Sequence, residues 1–127
     1  MRDFTQLVVW QKAHESVIEI YRSTSEFPAD ERFGLTAHLR KTATSIGSNI
    51  AEGCGRESET ELARFLSIAA GSASETEYQL YLARDLGYLS DAKHQNLHMR
   101  INEVKKMFNS FIRKLRDANK SLPEADR

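Results

Sequence analysis

The sequence has one cysteine and two prolines among 127 residues. A single cysteine, Cys54, excludes an internal disulfide and fits a reducing compartment. Two breakers in so long a chain, Pro28 and Pro123, leave room for long helices. Strict apolar/polar alternation is missing, which removes the main strand signal. No run of about 18 apolar residues occurs, so no transmembrane helix is expected. Residues 1–20 carry Arg2, Asp3, Lys12, Glu15 and Glu19 among the apolar positions, so no signal peptide is expected either. Charge of one sign is also missing. Lys plus Arg and Asp plus Glu both number 18, which argues against a wholesale nucleic-acid binder but not against a local patch. These absences together point to a cytoplasmic protein of one domain spanning 1–127.

What remains is helical periodicity. The first segment, about 7–26, carries Trp10, Ala13, Val17, Ile20 and Thr24 at alternating spacings of three and four. Pro28 ends it by disfavouring a helical Phe27. The second, about 29–53, opens with Asp30 and Glu31 at the positive end of the helix dipole. Its inner stripe is Leu35, Leu39, Ala43, Ile46 and Ile50. Small residues, including Gly47, lie between them and predict close approach by a neighbouring helix. Gly53 and Gly55 are expected to supply the backbone freedom of a helix stop.

The third segment, about 58–86, opens on a capping box, Ser58-Glu59-Thr60-Glu61, and closes on Gly87. It is apolar on more than one side, so part of it is left for another molecule. Phe65, Ile68 and Leu82 are the residues expected at such a subunit interface. The fourth, about 90–117, is capped by Ser90. Its stripe is Leu97, Ile101, Val104, Phe108, Phe111 and Leu115, widened by Ile112. A polar tail, 118–127, follows. Four amphipathic segments joined by short connections predict an all-α, antiparallel up-and-down four-helix bundle.

Few groups suggest chemistry. Asn49, Glu52, Arg56, Ser72 and Glu75 are placed to form a polar cluster where the second and third helices pass. Its expected role is structural, fixing helix register. Residues 90–127 hold nine Lys and Arg against five Asp and Glu, while residues 57–89 hold two against six. The fourth helix is therefore the basic side. Lys105, Lys106, Arg113, Lys114 and Arg116, with Arg40 and Lys41 on the second helix, are the nucleic-acid-binding candidates. The competing reading is a solvated face.

Asp91, His94 and His98 share one helical face, and two histidines a turn apart can chelate a divalent metal. Nothing in the sequence completes the set, and no metal or other cofactor is expected. Cys54 has no histidine base nearby in sequence and reads as a small corner residue. No phosphate loop or nucleophile elbow is present, so no catalytic residue is assigned. Trp10, Tyr21, Tyr78, Tyr81 and Tyr88 offer a stacking platform, although such residues more often bury area in a core or an interface.

Five motifs stand in a recognisable order. They are Phe4-x-x-Leu7-x-Val9-Trp10, Phe27-Pro28-x-x-Glu31-x-Phe33-Gly34-Leu35, Ser45-Ile46-x-Ser48-Asn49-Ile50-Ala51-Glu52-Gly53, Arg56, and Gly71-Ser72-Ala73-x-Glu75. The chain resembles the bacterial four-helix bundle protein family, whose founding members are encoded in intervening sequences of large-subunit ribosomal RNA genes. It departs at Gly47, where many relatives have proline. The resemblance implies a ring-shaped homo-oligomer, in particular a homopentamer. A related branch is the accessory variability protein of diversity-generating retroelements, which binds a reverse transcriptase and nucleic acid. The expectation is a non-enzymatic oligomeric interaction or scaffold protein with no membrane partner and no small-molecule substrate. The alternative is a nucleic-acid-binding accessory factor for RNA or DNA, using a basic face repeated around the oligomer.

Overall fold

The computed structural model describes residues 2–127. Among these residues the protein is all-α, with four long helices and no strand. They are α1 (Val8–Thr24), α2 (Leu35–Cys54), α3 (Glu59–Asp85) and α4 (Asp91–Lys120). Each packs on two others: α1 on α2 and α4, α3 on α2 and α4. Neighbouring helices run antiparallel, as the cross-contacts show. Gly47 faces Trp10, and Arg40 bonds to Thr24. Ser45 meets Ser72, and Thr42 meets Thr76. Lys12 pairs with Glu103, and Lys93 with Glu26.

Helix starts and stops follow local chemistry. Ser58 Oγ accepts from the Glu61 amide at 3.1 Å. Glu61 does not reach back to complete the box; it holds Arg64 at 2.8 Å instead. Ser90 caps α4 by accepting from the Lys93 amide at 3.1 Å. Gly87 ends α3 with φ +81°, a conformation that favours glycine.

The second helix begins later than the expected 29. Pro28 leads into an isolated 3-10 turn, Ala29–Glu31, and Gly34 interrupts the chain with φ −106° and ψ −116°. Glu31 Oε1 then accepts from the Leu35 amide at 3.2 Å, so this carboxylate caps α2 from outside it. The fourth helix runs three residues past the expected 117. Arg127 closes its end by donating to the Lys120 carbonyl at 2.7 Å. A 3-10 turn, Glu124–Asp126, occupies part of the polar tail.

The core joins the inner stripes of all four helices. Ile20, Leu39, Ile46, Ile50, Leu66, Leu80, Ile101, Val104 and Phe108 are fully buried. In α1 the buried face is Val9, Ala13, Ser16, Ile20 and Thr24, so Trp10 and Val17 lie at its edge. Ser16 can sit inside because its hydroxyl donates to the Lys12 carbonyl at 2.9 Å. In α4, Ile112 is buried and Phe111 only half-buried. A straight helix drifts by about 20° per heptad, which carries the stripe from the expected 111 to 112.

The glycines of the α2 corner do a different job from the expected one. Gly55 has φ −81°, an ordinary helical value. Gly53 lies inside α2, where an added Cβ would stand 2.9 Å from Phe65 Cβ and 3.1 Å from Leu62 Cδ1. It is there because α3 comes too close for any side chain. Gly53→Ala is expected to lower stability by about 1–3 kcal/mol through overpacking, read from urea unfolding midpoints. An unchanged midpoint would show that α3 yields easily.

Candidate functional site

Three features of the bundle are candidates: a polar ladder inside it, an unpartnered outer face on α3, and a cationic groove on α4.

The polar ladder lies between α2 and α3. Ser45 Oγ donates to Ser72 Oγ at 2.6 Å. One turn away, Thr42 Oγ1 donates to Gln79 Oε1 at 2.8 Å and lies 3.2 Å from Thr76 Oγ1. Thr76 and Gln79 are buried. This ladder replaces the expected cluster. Of Asn49, Glu52, Arg56, Ser72 and Glu75, only Ser72 belongs to it. Asn49 turns back to the Ser45 carbonyl at 2.8 Å. Glu52 and Arg56 pair with each other at 2.8 Å on the exposed surface, and Glu75 is exposed. Long charged side chains reach water from a two-helix seam, while hydroxyls one or two bonds from the backbone stay inside it. Thr42→Val keeps the shape but leaves Gln79 Oε1 unpaired. It is expected to cost about 1–3 kcal/mol in chemical denaturation, with Thr42→Ser closer to wild type.

His94 and His98, on α4, lie against Glu77 and Tyr81 in the C-terminal half of α3. His94 is 5% exposed and packs on the Tyr81 ring at 4.6 Å between centroids. His98 Nδ1 lies 3.5 Å from Glu77 Oε2 without the alignment of a hydrogen bond. Among the described residues, no group of three His, Cys, Asp or Glu is placed to hold a metal ion. Asp91 shares the face of His94 in sequence but is itself exposed. Burial, then the nearby Arg84 guanidinium and the His98 ring, push the His94 pKa below its ordinary value. A proton therefore prefers the unfolded chain. Stability is full above pH 6.5, the unfolded value, and falls as the pH drops from there toward the folded value. Thermal melts between pH 7.5 and 5.5 are expected to show this slope, and His94→Gln to flatten it.

Cys54 is buried, and burial pushes its thiol pKa up against the opposing pull of Arg2. Nothing there activates a thiolate. The five aromatic residues do not form one platform. Trp10 stacks on His14 at 4.8 Å, Tyr21 lies under Arg40, and Tyr88 packs on Phe27. Tyr78 stands alone, exposed.

The outer face of α3 carries Ile68, Gly71, Glu75, Tyr78 and Leu82 at helical spacing. Ile68 is 42% and Tyr78 63% exposed. Gly71 is exposed in mid-helix, and an added Cβ would find nothing within 4 Å. Leu82 is half-buried against the core. Phe65, expected on the bare flank, is instead 9% exposed, with Arg56 and Arg64 lying over its ring. The close α2 corner at Gly53 is what covers it. Gly71 and Tyr78 were not picked out by sequence as interface positions, although each is spaced from Ile68 by whole helical turns.

The basic side divides in two. Arg40 is engaged within the bundle, donating to Thr24 Oγ1 at 2.8 Å and to the Tyr21 carbonyl at 3.2 Å. Lys105 is held by Glu77 at 3.0 Å. Neither is free to meet a polyanion. Lys41 is exposed on α2, a helix that does not pack on α4. Lys106 is exposed, and Lys114 borders a small apolar groove beside Leu7, Val8 and Phe111. Arg113 and Arg116 line a groove of about 480 Å³ between α3 and α4, with Ser67, Ala70, Asn109 and Lys120. Sequence reasoning missed Ser67, Asn109 and Lys120 there. The spacing of 109, 113, 116 and 120 by four, three and four marks that face.

The sequence profile of the 23S rRNA-intervening sequence protein family matches residues 5–110. Among solved structures, the chain is similar to a crystal structure from Bacteroides thetaiotaomicron, a protein of unknown function from the S23 ribosomal protein family. The two are 27% identical over 84% of this chain and 96% of that one, with a TM-score of 0.77. No curated protein shows significant similarity.

Proposed function

The chain belongs to the 23S rRNA-intervening sequence protein family, and from that premise we propose that it is a non-enzymatic interaction protein that works as a ring-shaped homo-oligomer, a pentamer, in the cytoplasm. One observation carries the self-association: Gly71. A glycine in the middle of a 27-residue helix costs about 1 kcal/mol relative to alanine. Within the subunit nothing explains it, since the space above it is empty. A second helix approaching at that point would. Ile68 and Tyr78, one turn and two turns away, supply apolar area on the same face. Light scattering on the purified protein tests the reading. A mass near five times 14.5 kDa is the expected result, and a strict monomer would sink it.

A second reading, a nucleic-acid-binding accessory factor acting with a reverse transcriptase or alone, is favoured by a separate observation. Among the described residues, Arg113, Arg116 and Lys120 make no ion pair, although every other Arg or Lys from 93 to 105 on α4 makes one. Cations left unpaired are free to displace counterions from a phosphate backbone. Repetition around an oligomer would multiply the effect. A gel-shift titration at low salt tests it, and no shift at about 50 mM salt would end it.

A further inference from the structure

Resting on the nucleic-acid reading above, we infer that the groove between the N-terminal half of α3 and the last turns of α4 is a phosphate site for one nucleic-acid strand, with Arg113, Arg116 and Lys120 as its cations.

Asn109, Arg113, Arg116 and Lys120 form one stripe of α4, at spacings of four, three and four. The facing positions of α3 are Ser67 and Ala70, whose small side chains leave the groove about 480 Å³ open. Ser67 and Asn109 add neutral hydrogen-bond donors that suit phosphate oxygens. A second groove of about 430 Å³ shares Ser67, Arg116 and Lys120 and continues to Thr60 and Asn119. The two form one channel along α3. Ten residues of helix, from Thr60 to Ala70, measure about 15 Å. That is long enough for more than one phosphodiester of a single strand. A lone phosphate would leave most of this length empty.

The carboxylates around the channel are largely neutralised. Glu59 is held by Arg2 through both oxygens, at 3.1 and 3.0 Å. Glu61 is held by Arg64 at 2.8 Å. Asp117 alone lines the groove unpaired, against three cations. The negative end of the helix dipole accounts for Lys120, in the last turn, but not for Arg113 two turns earlier, because that effect fades within a turn. The shape of the channel and its surplus of positive charge thus select the same ligand, a run of phosphodiesters.

Fluorescence anisotropy of a labelled single-stranded RNA oligonucleotide, titrated with the full chain between about 50 and 200 mM salt, reads the site directly. For three phosphate contacts per subunit, log K should fall against log salt with a slope of about −2. The combined variant R113Q/R116Q/K120Q should bind at least tenfold more weakly at the low salt and lose most of that slope. Asp117→Asn, which removes the one repulsive group, should bind more tightly than wild type. Lys41→Gln, on α2, should bind as wild type does. All these positions are exposed, and thermal melts check that each variant folds. Retention of affinity and slope by the triple variant overturns the groove while leaving nucleic-acid binding elsewhere intact. Failure of the wild type to bind overturns both. Displacement of the strand by inorganic phosphate at matched phosphate concentration overturns the strand assignment, since the channel would then hold single phosphates.

Discussion

For the proposed α3 interface, glutamate at both Ile68 and Tyr78 is expected to leave a 14.5-kDa monomer that is still folded. Neither side chain belongs to the core, so the subunit loses little by the change. An interface would lose apolar area at two points and would have to bury two carboxylates without partners, each costing several kcal/mol. Every 1.4 kcal/mol is a factor of ten in association, so the shift spans many orders of magnitude. Size-exclusion chromatography with light scattering measures the mass, and circular dichroism checks the fold. Gly71→Ala gives an independent reading by its sign. In an isolated subunit the new methyl meets nothing, and helix propensity should raise stability by about 1 kcal/mol. If another copy packs there, the methyl should instead weaken assembly. A doubly charged variant with the mass and melting profile of wild type would remove the α3 face from the account.

Phe108→Ala is expected to cost about 3–5 kcal/mol, the largest loss for any single truncation in the bundle. Phe108 is fully exposure-free and is the largest side chain so placed. Removing its ring deletes contacts in the α4 stripe where that helix meets the others, and leaves a cavity. Against a total stability of about 5–15 kcal/mol this is a large share. For a chain of this size it corresponds to a fall in Tm on the order of 12–20 °C. Ile112→Ala, at a site with slight exposure, should cost less. A Phe108→Ala melt within a few degrees of wild type would mean that the core collapses into the space.

The four helices were legible because their apolar stripes are long and their ends carry readable chemistry. Ser58, Ser90 and Gly87 mark boundaries that the structure places within a residue or two. The start of α2 was not legible. Pro28 with Asp30 and Glu31 has the composition of a first turn, yet Gly34 breaks the backbone before the helix proper begins. Glu31 acts from a distance that sequence spacing does not reveal. The polar ladder was hidden for a different reason. Thr42, Ser45 and Thr76 look like filler, and each hydroxyl also lies within bonding distance of a helix carbonyl three or four residues back. Charged residues drew attention instead, and those are the ones that reach water. For the cationic groove, net charge pointed to α4 but ranked Lys105 beside Arg113. Only the placement of Glu77 and the other carboxylates separates a paired lysine from a free one.

The sealed thiol of Cys54 has a practical consequence. A maleimide dye offered to the native protein should find no competing attachment point, so one cysteine introduced at an exposed position away from the α3 face, such as Glu57, would be labelled alone. Energy transfer between labelled copies, mixed with unlabelled ones in varying proportion, would then count neighbours directly.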